Sequence, residues 1–124
     1  MFRILLVQQH NTVREALAFA LSRQPDFEVV GRQPATLAQG RFALAQGAID
    51  LAVIDSSLSE GDGLDLVREV RDAQPHSLLV LVLTTSLDRH ANEVALKAGA
   101  SEVLTTEASF EEIFSMIRRI AEEY

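Results

Sequence analysis

Asp55 is the residue whose type and position most readily support chemistry. It closes the apolar run Leu51-Ala52-Val53-Ile54, and a loop carrying Gly61 and Gly63 follows before the chain turns helical at Leu64. Four apolar residues are too few for a helix, so the run reads as a buried strand that presents Asp55 at its carboxyl end. In open α/β sheets that edge is where ligands bind and reactions run. Asp55 is therefore a candidate nucleophile, and its partners must come from the loops after the other strands. Those loops open on Gln8-Gln9, Thr84-Thr85 and Thr105-Thr106, amide and hydroxyl side chains rather than charged ones.

The elements that must position these residues are legible in the hydrophobic pattern. Ile4 to Val7 is a continuous apolar run, the mark of a strand covered on both faces. Asn11 or Thr12 can cap the next segment, where Val13, Ala16, Leu17, Ala20 and Leu21 recur at helical spacing until Pro25. Phe27 to Gly31 reads as a second strand, and Thr36 to Gly47 as a less amphipathic second helix. After the strand ending at Asp55, a helix from Asp62 to Gln74 is predicted, capped by Asp62, with Leu66, Val67, Val70 and Ala73 inside and Pro75 as its stop. Leu78 to Leu83 is the most apolar run, fitting a central strand. A helix from Asp88 to Ala98 ends at Gly99, and Ser101 to Leu104 is a fifth strand. The last helix starts near Ser109, where Glu112 completes a capping box. Phe110, Ile113, Phe114, Ile117 and Ile120 form its apolar face, and Arg118-Arg119 suit its carboxyl-terminal dipole.

Strict βα alternation, with no repeat or linker, predicts a doubly wound α/β domain spanning residues 1–124. Its five-stranded parallel sheet should have right-handed crossovers. With strand order 2-1-3-4-5, the first and third strands flank the switch point and Gln8 and Gln9 lie beside Asp55.

Composition narrows the function classes. The chain has 124 residues, a net charge of −7 and no cysteine. Disulfides, thiolate metal sites and a cysteine nucleophile are excluded, and the acidic balance argues against direct binding to nucleic-acid phosphates. No apolar run is long enough to span a bilayer, and no cleavage site follows Met1. A cytoplasmic protein with protein partners is the expectation. His10, His76 and His90 are too scattered in sequence to form a cluster.

In its motifs and their order the sequence resembles the receiver domain of bacterial two-component response regulators. The resemblance rests on Ile4-Leu5-Leu6-Val7 before a polar loop, Asp55 closing the third strand, Asp62-Gly63 opening the third helix, Thr84 after the fourth strand, and Lys97-Ala98-Gly99-Ala100-Ser101 before the fifth. Val13 to Leu17 and Pro25 to Gly31 look like the subclass that carries a LuxR-type helix-turn-helix output domain.

The resemblance implies phosphorelay signal transduction: a phosphoryl group passes from a histidine kinase or small donor to an aspartate, here Asp55. It also implies Mg²⁺ held by an acidic pair after the first strand, a switch hydroxyl at Thr84 and a lysine after the fifth strand. Phosphoryl transfer depends on positioning and charge neutralisation, yet the acidic pair reads Gln8-Gln9 and the lysine position reads Thr106. Gln8, Gln9, Asp55 and the Ser57 carbonyl, with Glu60 near, make at most a degenerate Mg²⁺ site, weak or empty, because Mg²⁺ favours hard anionic oxygens. Hydrogen-bonding of the glutamines to the loop is the favoured alternative. Without neighbouring carboxylates, Asp55 is expected to be closer to ordinary acidity than in an intact acidic pocket. The loop proline common in the family is Ser59, and the family's switch aromatic is Val103.

The expectation is a pseudo-receiver: a signalling domain, not an enzyme, needing no cofactor and working by protein contact through residues 88–122. A histidine kinase, an output domain or a second copy are its candidate partners. The alternative is a working phosphoacceptor at Asp55 that controls a DNA-binding transcription-regulator output domain. A flavin or nucleotide site on the same topology is disfavoured because Gln8 to Thr12 contains no glycine for a phosphate loop. Termination at Tyr124 after the last helix leaves a stand-alone module or one followed by an output domain, and the subclass resemblance favours the second.

Overall fold

The structure is a computed structural model, and it describes residues 1–30, 34–58, 61–73, 78–85 and 88–123. In chain order the elements are β1 (Phe2–Val7), α1 (Asn11–Ser22), β2 (Phe27–Val29), α2 (Leu37–Ala45), β3 (Leu51–Asp55), β4 (Ser57–Leu58), β5 (Gly61–Asp62), α3 (Gly63–Ala73), β6 (Leu79–Thr84), α4 (Arg89–Ala98), β7 (Glu102–Thr105) and α5 (Phe110–Glu123). The main sheet is parallel with strand order β2-β1-β3-β6-β7. Setting aside the two-residue strands β4 and β5, this is the anticipated 2-1-3-4-5 order. No helix among the described residues is long and apolar enough to cross a membrane.

Alternate side chains of the central strands serve opposite layers, as the pleat requires. Leu5, Val7, Ala52, Ile54, Val80 and Val82 pack with α2, α3 and α4 on one face. Ile4, Leu6, Leu51, Val53, Leu81 and Leu83 pack with α1 and α5 on the other. Every residue of β3 is buried, which is why these strands read as continuous apolar runs and not as alternating ones. Each such side chain contributes roughly 1.5–3 kcal/mol by leaving water.

The helix ends bear out some of the expected caps. Ser109 Oγ accepts from the Glu112 amide at 3.1 Å, and Glu112 Oε1 accepts from the Ser109 amide at 3.2 Å, completing the capping box of α5. Asp88 caps α4 through the His90 amide. Gly99 ends α4 at φ 124°, and the Arg71 stem lies so close that a Cβ there would crowd it. Arg71 in turn donates to the carbonyls of Gly99 and Leu78, tying α3 to α4.

Other expectations need correction. Neither Asn11 nor Thr12 caps α1, because the helix begins at Asn11 with His10 at the cap position. Val13 and Ala16 are exposed, and the buried face of α1 is Leu17 and Leu21, since α5 covers only that flank. Phe110 is 40% exposed at the edge of its stripe, touching Phe114. Arg118 serves tertiary contacts more than the helix dipole: it pairs with Asp26, donates to Gln24 and lies 4.8 Å over the Phe27 ring. Arg119 pairs with Glu102. Asp62 does accept from the Leu64 amide at the start of α3, but it also belongs to an unanticipated hairpin, β4 paired antiparallel with β5. The expected ends at Gly31, Gln74 and Pro75 lie outside the described residues, as do Ser59, Glu60 and His76.

Gly63 locks this hairpin beneath the sheet edge. Its amide donates to the Ser56 carbonyl at 2.9 Å, and a Cβ on Gly63 would collide with the Asp55 carbonyl oxygen. Backbone cannot yield as a flexible side chain does, so Gly63→Ala is expected to destabilise the fold by about 2 kcal/mol, the usual scale for overpacking. Urea denaturation at constant m-value checks this, and an unchanged midpoint would contradict the close packing.

Candidate functional site

Parallel pairing brings the carboxyl ends of four strands together. Val7 sits opposite Ile54 in the register, so Gln8 follows β1 beside Asp55 at the end of β3. Asp55 is opposite Leu83, which puts Thr84 one residue beyond it on β6, and Thr84 is opposite Thr105 on β7. The Thr106 amide then donates to the Thr84 carbonyl at 2.9 Å. Gln8, Asp55, Thr84 and Thr106 therefore share one edge. Gln8, Asp55 and Thr84 are buried, whereas Thr106 is exposed.

Asp55 is only 3% exposed. Burial pushes its carboxyl above the ordinary value of 3.8, while three neighbours favour the ionised form: the Ser57 amide, the Gln8 side chain and the charge of His10. Oδ1 accepts from the Ser57 amide at 2.9 Å. Removing neighbouring carboxylates thus does not restore ordinary acidity, because desolvation outweighs what the neutral donors return.

Gln8 is held at both ends. Its side chain is hydrogen-bonded to Asp55, and its Oε1 accepts from the His10 amide at 3.2 Å. Its own carbonyl accepts from Arg14 at 2.7 Å. The carboxamide thus donates to the acid and accepts from the loop, so its orientation follows from the network. Gln9 is half-buried, with its amide 3.5 Å from the His10 ring. Ser57 is exposed, and its amide serves Asp55.

This donor set does not fit a Mg²⁺ ion of the kind an acidic pair would hold. Positions 8 and 9 supply neutral amides, and the Gln8 oxygen is already engaged by backbone. Among the described residues no group of three or more histidine or acidic side chains is placed to hold a metal. His90 is on α4 and exposed, while His10 is near enough to act on Asp55, a proximity its sequence position alone did not indicate. Beside this edge, Ser57, Leu58, Thr84, Val94 and Ala95 border a cavity of about 490 Å³ between the β4–β5 hairpin and α4. Val103 packs with the α4-side core and is only half-buried.

Two contributors escaped the sequence reading. Arg14 reaches back six residues to the Gln8 carbonyl, a contact that only the β1–α1 turn creates. Gly63 sets the height of the loop, and its signal was the Asp62-Gly63 pair, read there only as a helix start.

The raised folded-state pKa of Asp55 has a definite pH signature. Folding favours the protonated acid, so that relative stability is present below the unfolded value and lost as pH rises through the folded one. Asp55→Asn is accordingly expected to raise the thermal midpoint at neutral pH, with the gain disappearing as pH falls toward the ordinary value of 3.8. Thermal melts across that range decide it; a pH-independent difference would show that the effect lies in packing and not in charge.

Comparison with known proteins places this geometry. A DNA-binding transcriptional activator, DevR/DosR, of Mycobacterium tuberculosis is 33% identical over 101 residues, covering 82% of this chain and 46% of that protein. The transcriptional regulatory protein LiaR of Bacillus subtilis is 30% identical over 122 residues, covering 95% of this chain and 55% of its own length. The chain thus spans about half the length of these relatives. The crystal structure of a LuxR-family two-component response regulator from Aurantimonas superposes with a TM-score of 0.88 at 26% identity, covering 97% of this chain and 85% of that one. The family model for the response regulator receiver domain matches residues 4–118, and the chain belongs to that family.

Proposed function

We propose that this is an atypical receiver domain, one that signals through protein contact with little or no Mg²⁺-dependent phosphorylation of Asp55. The observation that carries the reading is the Gln8 carboxamide hydrogen-bonded to Asp55 in the place of a metal-binding acid. Receiver domains interact with histidine kinases and output domains. The partner here is read as an output domain of the LuxR type or a second copy, engaged through residues 88–122. Exposed Leu96 and Phe110 lie in that stretch. The net charge of −7 is why nucleic acid is assigned to an output domain and not to this one.

Three losses act in the same direction. Two neutral amides replace the anionic oxygens that Mg²⁺ requires. Thr106, exposed and uncharged, offers a phosphoryl group no positive charge. Val103 supplies no aromatic ring to report a movement of Thr84. Thr84 is retained and buried, and with Asp55 it preserves the acceptor position without the charges that would drive transfer.

Incubation with acetyl phosphate and Mg²⁺, followed by intact-mass measurement, tests the reading. The unaltered protein is expected to stay unmodified under conditions in which a Gln8→Asp, Gln9→Asp, Thr106→Lys variant gains one phosphoryl group and binds Mg²⁺ in the millimolar range. Stoichiometric modification of the unaltered protein, abolished by Asp55→Ala, would overturn it in favour of a working phosphoacceptor.

A further inference from the structure

We propose that the groove between α2 and the β1–β2 side of the sheet binds a small amphiphilic carboxylate, with its apolar body against α2 and its acid group on Arg14. This goes beyond the reading of Asp55 and does not depend on it.

The groove exists because of how α2 is held. Gly40 lets the helix backbone approach α3 so closely that a Cβ there would meet Leu66 at 2.8 Å and Val7 at 3.2 Å. Arg41 reinforces the lean with two hydrogen bonds to Glu69 on α3, at 3.0 and 3.1 Å. Drawn toward α3, the helix has a second flank that no described residue covers above the sheet. The resulting space of about 860 Å³ is lined by Leu5, Val30 and Ile49 from the sheet side and by Ala38 and Phe42 from α2. That volume lies within the roughly 300–1,000 Å³ typical of small-molecule sites, which are likewise mostly apolar with a few polar groups that orient the ligand. Phe42, 70% exposed, stands free at the rim to close over an apolar body.

The charge on the groove selects the head group. Among the described residues two arginines line it. Arg3 is already paired with Glu28 at 3.3 Å and so brings little net charge. Arg14 is half-buried, and its guanidinium donates only to neutral acceptors, the Gln8 carbonyl and Asn11 Oδ1; among the described residues no carboxylate pairs with it. Of the two arginines that line the groove among the described residues, Arg14 is the one without an acidic partner, so in a chain of net charge −7 it marks the place in the groove for an external anion. One guanidinium matches one carboxylate, for which its planar donors are suited.

Octanoate and octanol, titrated separately into ¹⁵N-labelled protein, separate the two halves of the proposal. Octanoate is expected to shift the amides of Arg14, Ala38 and Phe42 saturably and to bind about tenfold more tightly than octanol, the difference a charge-assisted contact supplies. Arg14→Gln should remove that advantage while leaving octanol binding unchanged, and Ala38→Trp should fill the groove and abolish both. Peak dispersion in the same spectra confirms that each variant is folded. The proposal is overturned by absence of saturable shifts in the groove, by equal affinity for the acid and the alcohol, or by an Arg14→Gln variant that still prefers the acid. Concentration-dependent self-association lost in Phe42→Ser would also overturn it, since the groove would then be covered by a second copy. Phosphorylation of Asp55 is not read in this titration, so either conclusion can fail without the other.

Discussion

The parallel pairing of β3 between β1 and β6 is the constraint on which everything else in the molecule rests. Its register aligns Val7, Ile54 and Val82 across three strands, so the first polar residues beyond them emerge at a common level. Both faces of these strands are buried, and a slip by one residue would turn an entire apolar set from one core layer to the other. The side chains that fix the register are thus remote from the chemistry, yet they place Gln8 against Asp55 to within a hydrogen bond. The Gly63 backbone adds a second stop, holding the loop after Asp55 from the opposite side.

At that edge the electrostatics are those of a desolvated acid beside two neutral donors and the His10 ring. Two carboxylates about 4 Å apart would repel by roughly 4 kcal/mol at the effective dielectric of a protein surface, and a bound cation relieves that repulsion. With Gln8 in place there is no such repulsion to relieve. Burial raises the pKa of Asp55, and the Ser57 amide, the Gln8 side chain and the His10 charge return part of the cost of ionisation. At positions 8 and 9 a divalent ion would meet neutral amide oxygens in place of the anionic ones that a strongly hydrated ion such as Mg²⁺ favours.

The fold was legible because its core strands are covered on both sides, and that geometry writes itself as short uninterrupted apolar runs ending in polar loops. Local chemistry was readable too: the Ser109–Glu112 capping box, Asp88 at the start of α4 and Gly99 at its end each depend on residues a few positions apart. What escaped was non-local. Whether Val13 and Ala16 are inside depends on where α5 lies across α1, which spacing along α1 cannot reveal. Arg118 over Phe27 joins residues at opposite ends of the chain. The β4–β5 hairpin is too short to carry a period. The site followed the same division: that positions 8, 55, 84 and 106 meet at one strand edge was legible from the strand order, but the direction of the acidity shift at Asp55 required knowing how deeply it is buried.

The strand edge around Asp55 is held by hydrogen bonds from within the chain. Here the polar groups have found their partners within the chain. Gln8 donates to Asp55 and accepts from His10, Asp55 also accepts from Ser57, and the Thr84 carbonyl is taken by the Thr106 amide. A hydrogen-bonded network of this kind rigidifies the edge in one arrangement. A two-state element can be biased only by a ligand that distinguishes its states. Among the described residues, exposed apolar groups lie instead on the helix surfaces, Phe42 on α2 and Leu96 on α4 among them.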